Sequence, residues 1–111
     1  MKVEHFVEER ALKILITEEI DHHTSNMIRT RIDYEITRFM PKKVIMDLEN
    51  VKFMDSAGIG LIIGRYKVAK SYGGDLKIEN ASPKIMKIFD MAGLPKKNEF
   101  KESSNCSKVN I

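Results

Sequence analysis

The sequence predicts an α/β domain: a mixed central β-sheet with an N-terminal hairpin and a mostly parallel middle, packed with three to four α-helices. Two observations carry this. From about residue 20 onward, short apolar runs alternate with segments of helical period, and strands joined through helices pair in parallel. Before that, the first two apolar runs are separated by little more than Glu9 and Arg10, too short a link for anything but a hairpin. With 111 residues the chain is expected to form a single domain, residues 1–111, around one core.

Residues 3–9 alternate apolar and charged side chains and read as the first strand, with His5 on the parity of Val3 and Val7 as a half-buried strand residue. Glu9 and Arg10 make the turn. Residues 12–17 form a second, more buried strand. Asp21 opens the first helix, where Met27, Ile28, Ile32, Ile36 and Phe39 mark one apolar face and Arg29, Asp33 and Thr37 the opposite one. Pro41 stops it. Residues 44–48 are a compact apolar run, as expected of a central strand covered on both faces. A loop over 49–55 leads to the second helix, whose buried stripe is Ile59, Ile62, Ile63, Tyr66 and Ala69 and whose end is Gly73-Gly74. Residues 75–79 form a short strand. The third helix is punctuated by Ser82 as N-cap, Pro83 in the first turn, Gly93 at its end and Pro95 beyond, with Ile85, Ile88 and Phe89 inward. Residues 98–101 read as a last edge strand, and 103–111 as a short helix or a frayed tail.

Composition narrows the function. At 42% hydrophobic and 32% charged, the chain reads as an ordinary globular protein. Its longest apolar stretch, residues 59–63, is too short to cross a bilayer, and the N-terminus lacks the pattern of a signal peptide, so no membrane partner is expected. The single cysteine, Cys106, cannot close an internal disulfide, which fits a reducing cytoplasm. The net charge of +3 is spread among acidic residues, and pairs such as Lys42-Lys43 and Lys96-Lys97 are not a basic stripe, so no direct nucleic-acid partner is expected.

The run Met54-Asp55-Ser56-Ala57-Gly58-Ile59-Gly60 is the most informative. Ser56 stands where the second helix begins, beside backbone N–H groups with no intrahelical partner and at the positive end of the helix dipole. It is either a plain N-cap or a hydroxyl that can carry a phosphate without breaking the fold. The glycines do not make a dinucleotide fingerprint, because Ile63 stands where G-x-G-x-x-G needs glycine. They read instead as small residues that let the helix pack closely or let a partner approach. A nucleophile elbow needs glycine at Met54, and its base would have to be His22 or His23, so a serine hydrolase is disfavoured. Adjacent histidines on a helix point about 100° apart and rarely share an ion. Asp21 therefore reads as a cap and His22-His23 as polar first-turn residues, with no metal and no cofactor expected. No Walker-type phosphate loop is present.

Taken together, Glu19-Ile20-Asp21-His22-His23-Thr24, Phe53 through Gly60, Gly64-Arg65-Tyr66-Lys67, Gly73-Gly74, Ser82-Pro83 and Phe89-Asp90-Met91-Ala92-Gly93-Leu94 resemble the anti-sigma factor antagonists. These are small proteins of the STAS fold, and the match runs over roughly residues 3–100. The His-His-Thr and Gly-Arg-Tyr-Lys features are most similar to the sporulation members, which antagonise the anti-sigma-F factor. The resemblance implies a regulator that is not an enzyme. In such a system the unphosphorylated antagonist binds an anti-sigma factor that is itself an ATP/ADP-bound serine kinase, which frees the sigma factor. The kinase phosphorylates the serine of the Asp-Ser-x-Gly motif, here Ser56, the complex separates, and a PP2C-type phosphatase resets it. By position the implied partner-facing residues are Asp21, His22, Asp55, Ser56, Ala57, Gly58 and Gly60. The alternative within the fold is a general stress antagonist or a scaffold component. STAS domains have also been suggested to bind nucleotides, which no phosphate loop here supports. A monomer or a weak dimer is expected, since the second helix exposes small residues. One departure is Glu18, where the family usually has glycine before its Gly-Glu-Leu-Asp stretch, a change expected to alter the loop beside Ser56.

Overall fold

The structure, a computed structural model, describes residues 1–94. The elements run β1 (Lys2–Phe6), β2 (Ala11–Leu15), α1 (Ser25–Phe39), β3 (Lys43–Asp47), α2 (Ser56–Ser71), β4 (Asp75–Glu79) and α3 (Pro83–Met91). The four strands form one sheet in the order β1-β2-β3-β4, antiparallel between β1 and β2 and parallel thereafter. This is the expected mixed sheet, with three helices. The elements assigned to residues 98–101 and 103–111, together with Pro95 and Cys106, lie outside the described residues.

Register explains where the core sits. Leu12, Val44 and Leu76 stand side by side across β2, β3 and β4, as do Ile14, Met46 and Ile78. All six are buried. The helices close over this face through Ile28, Ile32 and Ile36 of α1, Leu61 and Ile62 of α2, and Ile85 and Phe89 of α3. Among the described residues, the opposite face lacks the apolar cover expected for β3. It carries half-buried Ile45 between Lys13 and Lys77, and Lys13 Nζ lies 3.9 Å from both Asp47 and Glu79.

Several boundaries differ from expectation for local reasons. β1 ends at Phe6 because the turn takes four residues, 7–10, with the Arg10 N–H donating to the Val7 carbonyl (3.2 Å) and Arg10 at φ 53°. His5 is exposed rather than half-buried. It bonds Glu35 at 3.0 Å and meets the Phe39 ring edge-on, so it tethers β1 to α1. Met27 is 71% exposed, since it shares its helical row with Arg31 rather than with the Ile28-Ile32-Ile36 stripe. α2 packs against both α1 and β4, so its buried arc is wider than one stripe: Gly58, Leu61, Ile62, Arg65 and Ala69 are buried, and Ile59, Ile63 and Tyr66 are partly so. Asp33, expected on the solvent face of α1, instead meets Arg65 of α2.

Candidate functional site

Two loops at the C-terminal edge of the parallel strands build the site, one joining β2 to α1 and the other β3 to α2. They are stitched together by a parallel bridge between Ile20 and Met54. The Phe53 N–H donates to Glu19 Oε1 (3.1 Å) and the His22 N–H to Asp55 Oδ2 (3.2 Å).

Asp55, not Ser56, is the N-cap of α2. Its backbone is extended, and its Oδ1 accepts from the Gly58 N–H at 3.1 Å. With Oδ2 held by His22, one carboxylate both caps α2 and ties it to the β2–α1 loop. Ser56 therefore moves to the first helical position. Its side chain is exposed, and its hydroxyl makes no hydrogen bond with any described residue.

Asp21 does not open α1, which begins four residues later. Asp21 Oδ1 accepts from the His23 N–H (2.9 Å), the Thr24 N–H (3.0 Å) and the Thr24 hydroxyl (3.2 Å), while its carbonyl accepts from Ser25. This is a side-chain-closed turn, the alternative to helix that aspartate offers its own backbone. Those bonds favour the ionised form, the Thr24 amide most, and hold the Asp21 carboxyl below its ordinary range. The Thr24 hydroxyl shares its one proton between Asp21 Oδ1 and the Glu19 carbonyl, the latter closer at 2.8 Å, closing the loop on itself.

The three glycines of α2 have different roles. A Cβ on Gly58 would lie 2.7 Å from the Ile20 carbonyl oxygen and against the Met54 side chain, so this glycine lets the two loops touch. Gly60 and Gly64 have nothing within 4 Å, so close packing is the reading for Gly58 alone. Glu18 turns toward the N-terminus. Slight burial opposes its ionisation, but the Met1 ammonium at 3.2 Å and the Thr17 hydroxyl outweigh that and lower its pKa. It ties down the N-terminus, and no hydrogen bond or ion pair joins it to the Ser56 loop.

The structure thus brings Asp21, His22, Asp55, Ser56 and Gly58 into one contiguous patch, with Ala57 and Gly60 on the adjoining flank of α2. Both histidines are exposed, and neither ring bonds the Ser56 hydroxyl. No group of three or more His, Cys, Asp or Glu side chains suited to a metal gathers among the described residues. No helix there is long and apolar enough to cross a membrane. Sequence reasoning missed Glu19 and Phe53 as parts of the patch. Phe53, 61% exposed beside Asp55, is a large apolar side chain at the rim, and its place just ahead of the motif was the available signal.

A mixed sheet of this order, with a capped helix N-terminus presented beside the first crossover loop, defines the class. The STAS domain family matches over residues 3–105, and the chain belongs to it. Among named members it is 39% identical to an anti-sigma F factor antagonist of Paenibacillus polymyxa over 83 residues, covering 75% of this chain and 71% of that one. It is 31% identical to the anti-sigma-B factor antagonist of Bacillus subtilis over 86 residues, covering 78% and 77%. Its backbone is similar to that of the anti-sigma factor antagonist SpoIIAA. The unphosphorylated form superposes with a TM-score of 0.73 at 27% identity, covering 96% of both chains. The phosphorylated form superposes with a TM-score of 0.69 at 29% identity, covering 92% of this chain and 96% of that one.

Proposed function

We propose that this protein is an anti-sigma factor antagonist whose unphosphorylated form binds an anti-sigma factor with serine-kinase activity and so releases a sigma factor. Phosphorylation of Ser56 switches that binding off, and a PP2C-type phosphatase restores it. The observation that carries the reading is the position of Ser56: exposed, hydroxyl unengaged, at the first position of a helix whose cap is supplied by its neighbour. A kinase can reach this oxygen, and a phosphate on it displaces no structural bond.

The charge then acts on the complex. A phosphoryl group adds about −1.5 to −2 charges at pH 7 beside the Asp55 carboxylate. In the free protein, water and the α2 dipole support it. Under a docked partner both anions must shed water, and a penalty of about 2–3 kcal/mol weakens association roughly a hundredfold. Asp21 and His22 sit across the same patch and are read as partner contacts along with Ala57 and Gly60, whereas Gly58 is buried and serves the contact between the two loops.

The test is to incubate the full chain with the anti-sigma kinase of the same genome and ATP, and to map phosphate by mass spectrometry. One phosphate on Ser56, absent in Ser56→Ala, with Ser56→Ala retained by the kinase and Ser56→Asp released, is the expected result. Equal retention of the two variants removes Ser56 from the switch. The likeness to the sigma-B antagonist favours a second reading, service in a general stress pathway. Pull-downs with the kinases of both pathways separate the two.

A further inference from the structure

A second feature opens next to Ser56. Between α1 and α2 lies a surface pocket of about 230 Å³, flanked by Ser25, Asn26 and Arg29 on one side and by Ala57, Gly60 and Arg65 on the other. Arg65 is unusual there, a charged side chain only 8% exposed and the one buried cation of the described residues. Burying a guanidinium is costly unless its donors are met. Here they are met in part. Nε lies 2.9 Å from Asp33 Oδ1 but off the line a hydrogen bond needs, and the buried Nη1 has no acceptor among the described residues. Arg29, whose guanidinium donates to Asn26 Oδ1, adds a second positive charge to the same pocket. Two cations thus face one carboxylate, and residues of the first turns of both helices line the pocket. Burial disfavours the charged Arg65, Asp33 favours it, and Arg29 opposes it again. The pocket thus carries one more positive charge than the carboxylate beside it offsets. The floor on the α2 side is Gly60, with nothing within 4 Å of where a Cβ would stand, so a side chain from outside has a clear path in.

We infer that this pocket receives an acidic side chain of the protein that docks over Ser56, whose carboxylate accepts hydrogen bonds from the buried Arg65 guanidinium and from Arg29. The inference rests on the reading of Ser56 as a docking point, and continuity supports it: Ala57 and Gly60 belong both to the Ser56 turn and to the pocket. A planar guanidinium whose donors are unmet fits a carboxylate in a way that an ammonium cannot.

The experiment measures, by calorimetry, the affinity of the full chain for the cognate anti-sigma kinase. It compares the wild type with Arg29→Ala, Arg65→Lys and Arg31→Ala. Arg29 is exposed, so its truncation leaves the fold intact, and Arg65→Lys keeps the charge beside Asp33. Arg31, also exposed and outside the pocket, controls for loss of a surface charge. Loss of a charge-assisted hydrogen bond predicts that Arg29→Ala and Arg65→Lys each weaken binding about tenfold or more. Arg31→Ala is expected to change it less than about twofold. Thermal melts of the free variants exclude unfolding as the cause. Truncating the kinase's Asp and Glu residues in turn then finds one whose effect is lost in the Arg65→Lys background. If all three arginine variants bind alike, or no kinase carboxylate couples to Arg65, the inference is overturned. If the wild type binds no anti-sigma kinase at all, the reading of Ser56 fails first and the inference falls with it.

Discussion

Gly58 and Gly60 lie two residues apart on one helix, and the structure predicts opposite outcomes for the same substitution. Replacing glycine by alanine inside a helix gains up to about 1 kcal/mol from propensity alone. At Gly60 nothing opposes that gain, since the added methyl meets no atom within 4 Å, and Gly60→Ala is expected to stabilise by about 0.5–1 kcal/mol. At Gly58 the methyl would stand 2.7 Å from the Ile20 carbonyl oxygen. That oxygen belongs to backbone held by the Ile20–Met54 bridge and cannot swing aside as a side-chain end would. Overpacking of this kind costs about 1–3 kcal/mol, and relief means prising the two loops apart, at the expense of the His22–Asp55 and Glu19–Phe53 hydrogen bonds. The net expectation for Gly58→Ala is a loss of about 1–2 kcal/mol after the propensity gain is set against it. Urea denaturation followed by circular dichroism reads both values on one protein. If Gly58→Ala proves as stable as Gly60→Ala, the two loops are not in the contact described and the argument for Gly58 fails.

Two further expectations follow from the same loops. Asp55→Ala removes the α2 cap and the bond to His22 together, so it should destabilise the fold by about 1–2 kcal/mol in denaturant, whereas Ser56→Ala, which removes neither, stays within about 0.5 kcal/mol of wild type. The Asp21 carboxyl titrates below its ordinary value of 3.8, so ionised Asp21 stabilises the β2–α1 turn at all pH above that value, and the contribution disappears as pH falls through the lower, folded-state value. Stability measured against pH from neutral to strongly acid should therefore fall less steeply at its acid end in Asp21→Asn, which keeps the turn without the titration. An unchanged acid limb removes Asp21 from the linkage.

The order of elements was legible because each carried its own local signal: alternation in β1, four-residue spacing of Ile28, Ile32 and Ile36, and Ser82-Pro83 with Gly93 around α3. The Ser82 cap forms as expected, its hydroxyl accepting from the Ile85 N–H at 3.2 Å. Misplaced features were those decided by contacts between distant segments. Asp21 and Asp55 are both good caps by sequence. Only the fold shows that the first closes a separate turn while the second caps α2, because only the fold brings His22 to Asp55. The pairing of Asp33 with Arg65 was illegible for the same reason: on α1 alone, Asp33 falls on the polar face, and α2 is what covers it. Glu18 was read toward Ser56 from its place in a motif, but a free ammonium at Met1, brought near by the β1–β2 pairing, is the stronger attraction.

Under the proposed function, the division between Asp55 and Ser56 would let a phosphate at this position act on binding and not on folding. Had Ser56 been the cap, its oxygen would have been committed to a backbone N–H, and phosphorylation would have traded a structural bond for a charge. With Asp55 holding Gly58 and His22, the Ser56 oxygen is free of such duties. Two nearby anions repel by only about 1 kcal/mol per unit charge pair at 4 Å in water, and by about 4 kcal/mol where a protein surface lowers the effective dielectric. The first regime is that of the free protein, where Ser56 is exposed. The second begins only when a partner covers the patch and strips its water. The repulsion between a phosphate on Ser56 and Asp55 would therefore be small until docking and large on docking, which is how the proposed switch would carry two binding states on one fold.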